Sequence, residues 1–493
     1  MSRRTGASLT RLTVALAACL AALFEPAGAL DAGRLSPPVL PPETWQAATP
    51  TAAVDQLVER AMADQRVPGL AVAIVGRGQV VMAKGYGLSN LEHRTPVTPE
   101  TMFQSGSLGK QLTAAGVMAL VEDGRINLDA SIRTYLPGTP ESWQPITTRH
   151  LLTHSSGIPD YTGDDFDYRR DYSDEELVGM ATRLELEFPA GSRWNYSNTG
   201  YVLLGVIIGR LAGQPYWEFL RERIFDPAGM KTIRVNTESD IVPYRAQGYL
   251  PAGETWRHAN WGAPSLNRTA DGSMLLNLDD LIAWNDVVRN RRVLSARSWE
   301  LMQSPMTLTS GRPYPYGFGW RIGEAGGQVV HEHGGSWQGF MTQLTRYTGD
   351  DLAVIVLANS SSARPGEIAT GIAALMNPAF APPPPPSEPI EDPDPAATAY
   401  VREMLAKISR GELALSDFAF IRQTSFPGLR RALTRTLEGM GAPGRLEFLA
   451  RTNIGDDREL QYFARYGERR FRVVATLGPN GGLTGLRVTE EPR

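Results

Sequence analysis

Phe103-Gln104-Ser105-Gly106-Ser107-Leu108-Gly109-Lys110-Gln111-Leu112 decides how the rest of the chain is read. Leu108, Leu112, Val117, Met118 and Val121 recur at helical spacing and predict a helix running to about Asp123-Gly124. Ser107 and Lys110, three residues apart at its start, therefore stand on one face. A serine hydroxyl is a poor nucleophile until a neighbouring base takes its proton, and a lysine amine held beside it is such a base. The helix start adds N–H groups and a positive dipole end, aimed where negative charge develops.

Ser-x-x-Lys also describes an N-cap serine followed by a surface lysine, and composition decides between the two. Of 49 basic residues only four are lysines, Lys84, Lys110, Lys231 and Lys407, and the other 45 are arginines. Arginine serves wherever a generic positive charge suffices, but it cannot be deprotonated and so cannot act as a base. A lysine kept at this spot favours a catalytic pair.

The chain has 493 residues, 42% hydrophobic and 21% charged, as expected of a soluble protein of two or more domains. A net charge of -4 gives no reason to expect nucleic acid or an anionic membrane surface as partner. Arg3, Arg4 and Arg11 precede the apolar run Leu12 to Phe24, and Ala27-Gly28-Ala29 follows as a cleavage signal. Residues 1–29 thus read as a secretory signal peptide, too short for a membrane span, and predict a periplasmic or extracellular protein. The one cysteine, Cys19, lies within it, so the mature chain would have no disulfide. Leu16-Ala17-Ala18-Cys19 also fits a lipoprotein box with Cys19 as lipid anchor, but the apolar run continues past Cys19, which favours simple secretion.

After prolines 37, 38, 41 and 42, Ala52 to Asp64 has helical periodicity. Gly69 to Val75 and Gln79 to Ala83 read as a hairpin joined by Gly76-Arg77-Gly78. About 146–288 is a mostly helical insertion, with apolar-periodic stretches at Tyr201 to Leu211, Tyr216 to Phe225 and Leu278 to Val288. Strands return at Gly317 to Trp320, Gly327 to Glu332, Phe340 to Tyr347 and Leu352 to Ala358, before a helix at Ile368 to Met376. This predicts an α/β (α+β) domain over 52–377, an antiparallel sheet flanked by helices and split by the insertion, with a cleft between the parts. The five prolines from Pro382 open a semi-rigid linker, 378–397. Beyond it, 398–493 reads as two helices and four strands, a small α+β domain without a catalytic constellation.

Two further motifs carry chemistry. Tyr196-Ser197-Asn198 precedes the Tyr201 helix: a phenol beside a lysine can relay protons to and from the serine, and Asn198 can hold the lysine and a substrate amide. His331-Glu332-His333-Gly334-Gly335-Ser336-Trp337-Gln338-Gly339-Phe340 places two histidines on one strand face, but no third ligand stands at usable spacing, so neither a metal nor a cofactor is expected. Its glycines let backbone N–H groups approach a ligand closely. His93, His150, His154 and His258 read as structural, and His331 as a buried neighbour of the site.

Ser107-Leu108-Gly109-Lys110, Tyr196-Ser197-Asn198 and His333-Gly334-Gly335 have the order and context of the three motifs of the serine β-lactamase and penicillin-binding-protein-like hydrolases. About 52–377 resembles in particular the class C β-lactamase-related esterases and D-amino-acid peptidases. Leu151-Leu152-Thr153-His154-Ser155-Ser156-Gly157 and Asp226-Pro227-Ala228-Gly229-Met230 add to the likeness. The resemblance implies an acyl-enzyme on Ser107, proton handling by Lys110 and Tyr196, and an oxyanion site made of the Ser107 and Ser336 N–H groups. It departs at the third motif: true β-lactamases usually have Lys-Thr-Gly where this chain has His333-Gly334-Gly335, losing the fixed charge and hydroxyl that bind a β-lactam carboxylate. An ester, peptide or cell-wall fragment is therefore the expected substrate. The last domain is similar to small cystatin-like or NTF2-like modules. A non-catalytic receptor for cell-wall peptides is the competing reading, and the intact serine and lysine speak against it.

Overall fold

The computed structural model describes residues 51–161, 166–237, 239–421 and 426–491. The expected leader with Cys19, and prolines 37, 38, 41 and 42, lie outside the described residues. Helix α1, Thr51–Gln65, leads into strands β1, Gly69–Gly76, β2, Gln79–Asn90, and β3, Thr95–Pro96. Helices α2, Lys110–Glu122, α3, Asn198–Ala212, and α4, Leu278–Asn290, belong to the middle of the chain. Strands β4, Arg321–Ala325, β5, Gln328–Trp337, β6, Phe340–Tyr347, and β7, Leu352–Ala358, and helix α5, Pro365–Met376, complete this part. The seven strands form one antiparallel sheet in the order β4-β5-β6-β7-β1-β2-β3. Pairing of β1 with β7, Leu70 opposite Ala358, closes the sheet across the whole insertion.

The sequence of β1 shows why helices cover both faces. Strand alternation sends Leu70, Val72 and Ile74 to one side, against Val54 and Val58 of α1 and Ile368 and Ile372 of α5. Ala71 and Ala73 go to the other, with Leu112 of α2 and Leu281 and Trp284 of α4, where their small side chains let the helices come close. Strand β7 is buried along its length, hence its unbroken apolar run. Each fully buried Val, Leu or Ile contributes about 1.5–3 kcal/mol.

Several expectations need correction. Ser107 lies not in the α-helix but in a 3₁₀ turn, Gly106–Gly109, that runs into α2, and three residues per turn align Ser107 with Lys110 more closely than an α-helix would. Gly317 to Trp320 is a tight loop, with the Gly317 N–H donating to the Trp320 carbonyl and the Phe318 N–H to that of Met302; the strand begins at Arg321. The third motif sits inside β5, which extends to Trp337, rather than at a strand end. The middle region also contains strands too short for a period-two signal: Met274–Leu276 pairs with both Phe103–Gln104 and Arg234–Val235, and Tyr249–Ala252 forms a hairpin with Thr255–His258.

Helices α6, Pro395–Ser409, and α7, Phe426–Leu437, pack on a four-stranded meander of β8, Leu446–Ile454, β9, Asp457–Tyr466, β10, Arg469–Leu477, and β11, Leu483–Glu490. Their core, including Val401, Leu405, Leu437, Tyr462 and Phe471, is separate from those of the main sheet. The proline-rich stretch is tied to this meander, since Arg472 Nη1 donates to the Pro386 carbonyl and the Ile390 N–H to that of Phe448. The β8–β9 turn reaches the larger part, where Asp457 pairs bidentately with Arg193 at 3.0 and 3.1 Å and Phe420 packs edge-on against Phe188. Among the described residues no helix is long and apolar enough to cross a membrane.

Candidate active site

Three segments converge on Ser107. Ser105 is fixed from two sides: its N–H donates to the Met274 carbonyl, and its own carbonyl accepts from Thr342 Oγ1 at 2.7 Å. The chain then turns through Gly106 at φ +52°, where a Cβ would stand 2.4 Å from the Ser336 nitrogen. From the other side, a Cβ on Gly335 would stand 1.9 Å from the Ser105 carbonyl oxygen. Only glycines permit this approach, which sets the Ser336 backbone beside the nucleophile turn. The Ser107 and Ser336 N–H groups expected to hold an oxyanion thus lie on adjacent segments.

Lys110 is fully buried, and its Nζ faces three acceptors: Ser107 Oγ at 3.2 Å, Asn198 Oδ1 at 2.9 Å and the Asp271 carbonyl at 2.5 Å. It also lies over the rings of Tyr196, 4.9 Å from the centroid, and Tyr201, 5.4 Å. Ser197 caps α3, accepting from the Gly200 N–H, and the Asn198 N–H donates to Asp160 Oδ2 at 3.0 Å. This cap turns the chain so that Tyr196 and Asn198 both reach Lys110. Ser107, Lys110, Tyr196 and Asn198, the expected site residues, stand together around Lys110 Nζ.

His333 belongs to the same site in a form that sequence did not show. It is buried beside Tyr196, ring centroids 6.3 Å apart, with Nε2 3.0 Å from Tyr316 Oη and Nδ1 2.6 Å from the Gly334 carbonyl. Burial first, then the charges of Arg321 and Lys110, lower its pKa to about 3, so the imidazole is neutral at physiological pH. No cation replaces the lysine of the usual third motif at this position.

Two further residues escaped sequence reading. His154, expected to be structural, packs against Tyr196 with ring centroids 4.2 Å apart and planes tilted by 32°; its Nδ1 accepts from the Ser197 N–H and its Nε2 lies 3.0 Å from Tyr316 Oη. Its backbone at φ +56° was the available local signal, and it is conformational rather than compositional. Asp271 contributes its carbonyl to Lys110, while its side-chain Oδ1 is buried and has no hydrogen-bond partner among the described residues. Burial raises the Asp271 carboxyl despite the opposing pull of Lys110. His331, on the same strand face as His333, lies beside Trp320 and Arg346, one step along β5 from this cluster.

The arrangement can activate a serine, hold an oxyanion and return a proton to a leaving group. Residues 54–375 match the family model described as Beta-lactamase. Penicillin-binding protein 4* of Bacillus subtilis is 31% identical over 300 residues, covering 57% of this chain and 66% of that protein. A D-aminopeptidase of Gluconobacter oxydans is 30% identical over 324 residues, 64% of this chain and 60% of its own length. The chain thus spans just under two thirds of these curated relatives. Among solved structures, the octameric penicillin-binding protein homologue from Pyrococcus abyssi superposes over 90% of this chain and 98% of its own (TM-score 0.61, 24% identity), a likeness of fold. The D-amino acid amidase from Ochrobactrum anthropi SV3 complexed with L-phenylalanine covers 63% of this chain and 92% of its own, with a TM-score of 0.55 and 25% identity. With the family model covering more than half of its length and the serine, lysine and tyrosine motifs drawn into one cluster, this chain belongs to the Beta-lactamase family of serine hydrolases.

Proposed function

We propose that the chain hydrolyses D-amino-acid amides or short D-peptides through an acyl-enzyme on Ser107. The observation that carries this reading is the Lys110 environment. Two fixed acceptors, Asn198 Oδ1 and the Asp271 carbonyl, occupy two directions of Nζ, and the third faces Ser107 Oγ. The ammonium form donates to all three; once it has given up a proton, the neutral amine keeps its two N–H groups on Asn198 and Asp271 and turns its lone pair to the serine proton. Oγ then attacks the carbonyl carbon, and the Ser107 and Ser336 N–H groups take the developing oxyanion. Tyr196, against Lys110, passes the proton to the leaving amine; water, deprotonated along the same route, attacks the ester and frees Ser107.

The substrate class rests on charge. With His333 neutral, the third motif has no cation for a substrate carboxylate. The Lys110 side of the site instead holds the buried carboxyls of Asp160 and Asp271, which favour a cationic over an anionic group beside them. That charge pattern suits an aminopeptidase or amidase better than a β-lactamase, in line with the activities named for the D-aminopeptidase and D-amino acid amidase relatives. The leader expected at 1–29 supports export, and a compartment outside the cytoplasm is part of the proposal.

The test is turnover of D-Ala p-nitroanilide, L-Ala p-nitroanilide, p-nitrophenyl butyrate and nitrocefin by wild type, Ser107→Ala and Lys110→Arg. Serine-dependent cleavage of the D-anilide should exceed that of the L-anilide about tenfold or more. Lys110→Arg keeps the charge but cannot accept a proton, so it should lose about 10²–10⁴-fold in kcat. Esters turned over with the D-anilide untouched would make the chain an esterase, and fast nitrocefin hydrolysis would refute the charge argument. No turnover and no fluorophosphonate label on Ser107 would leave the receptor reading.

A further inference from the structure

A cleft of about 560 Å³ opens at the end of the β5–β6 pair away from Ser336, and none of Ser107, Lys110, Tyr196 and Asn198 lines it. Its floor is a cross-strand pair on one sheet face, His331 of β5 directly opposite Arg346 of β6. Arg346 is only 8% exposed. Its Nε donates to Asn285 Oδ1 at 2.8 Å, while its two Nη groups bond to no described residue. A buried guanidinium normally meets a carboxylate through those two groups.

The surrounding groups repeat the pattern. Gln303 Nε2 and His331 Nδ1 are both buried, and neither has a hydrogen-bond partner among the described residues. The one carboxylate in the lining, Asp351, accepts from Arg289 Nε at 2.6 Å and is thereby neutralised. Arg291, held at the C-terminal end of α4 by its left-handed backbone, adds an exposed cation at the mouth. Burial first lowers Arg346, to about 10, against the pull of Asp351, which Arg289 partly offsets. Val288, Ile322 and Val329 form an apolar wall beside these polar groups. The volume is several times that of a bare oxyanion, so the wall has room for a carbon body.

We propose that this cleft binds a small organic anion, a carboxylate or a phosphate monoester, whose oxyanion is held by Arg346 and Gln303 and whose apolar body lies on Val288, Ile322 and Val329. The planar fork of Arg346 suits either head group, since both offer two oxygens in one plane. The occupant is a ligand distinct from the substrate, because the site is built on the far end of the strands from Ser107.

Calorimetric titration of the full chain at low salt with phenyl phosphate, phenylacetate and the neutral phenylacetamide tests this, the first two separating the head groups. At least one anion should bind with a dissociation constant below about 1 mM, and the neutral amide at least about tenfold more weakly. Arg346→Gln should weaken anion binding about tenfold or more. Gln303→Ala, at a partly exposed side chain outside the main core, should weaken it several-fold and serves if the arginine variant does not fold. Ser107→Ala should leave binding unchanged. The proposal is overturned if neither anion binds at about 10 mM, if Gln303→Ala and a folded Arg346→Gln both bind as wild type, or if fluorophosphonate labelling of Ser107 abolishes binding.

Discussion

Replacing Tyr316 by Phe removes one oxygen that joins two buried histidines beside the proposed catalytic tyrosine. His154 Nδ1 accepts from the Ser197 N–H, so the ring proton is on Nε2, which donates to Tyr316 Oη at 3.0 Å. Tyr316 in turn donates to His333 Nε2 at 3.0 Å, leaving His333 Nδ1–H for the Gly334 carbonyl. These tautomers follow from the network. His154, Tyr316 and His333 are 1%, 1% and 3% exposed, so water cannot replace the lost hydroxyl. Phe keeps the ring packing but strands one donor and one acceptor, each at about 1–3 kcal/mol, so Tyr316→Phe should destabilise by roughly 2–6 kcal/mol. His154, which packs against Tyr196, then loses its Nε2 anchor and no longer fixes that ring. kcat should then fall about ten- to a hundredfold with KM nearly unchanged, as expected when a proton carrier loses its position. Urea denaturation at pH 8 reads the first effect and single-turnover kinetics the second. A stability loss below about 0.5 kcal/mol with wild-type kcat would show that this chain of bonds does not hold the site.

The fold should also be acid-sensitive through its buried histidines. Burial lowers His331 to about 4 and His333 to about 3, against an ordinary value near 6.5, so the unfolded chain binds more protons below that value and stability falls with pH. Between pH 7.5 and pH 5 each costs about 2 kcal/mol, an effect opposed by the raised carboxyls of Asp271, Asp280 and Glu332. His331→Asn should flatten the pH slope of unfolding by that 2 kcal/mol, and parallel slopes would count against it. Asp457→Ala strands Arg193, whose side chain is 18% exposed, and should cost about 2–3 kcal/mol and lower kcat, because Arg193 is three residues before Tyr196. Unchanged melting and unchanged kcat would mean that the contact of the last domain is incidental.

What sequence reveals of this site follows from how each residue is held. Ser107 and Lys110 are joined by one turn of chain, so their spacing is their geometry. Lys110 stands out further because lysine is otherwise nearly absent. Tyr196 and Asn198 are legible for the same local reason, since the Ser197 cap points both of them the same way. The strands of the main sheet are legible where burial is two-sided: Phe340–Tyr347 and Leu352–Ala358 match their expected limits, because a run apolar on both faces ends where the chain leaves the core. The loop at Gly317–Trp320 misleads because its aromatic residues are buried as a strand's would be, while its backbone bonds close a turn.

His154, Asp271 and Arg346 are of another kind. Each takes its meaning from a partner far along the chain: Tyr316 is 162 residues from His154, and Asp271 is 161 from Lys110. No spacing rule reaches across such distances. The third motif shows the difference most plainly. The letters His333-Gly334-Gly335 announce a missing lysine, and a histidine in that place could still have supplied a positive charge. Burial beside Arg321 and Lys110 removes that option, because a third cation there would be both desolvated and repelled. The site is therefore electrostatically inverted relative to one that grips a carboxylate, with a neutral imidazole on the β5 side and carboxyls on the Lys110 side. A His333→Lys variant would test that inversion: with no new carboxylate to pair it, the added ammonium should destabilise the fold rather than confer β-lactam turnover.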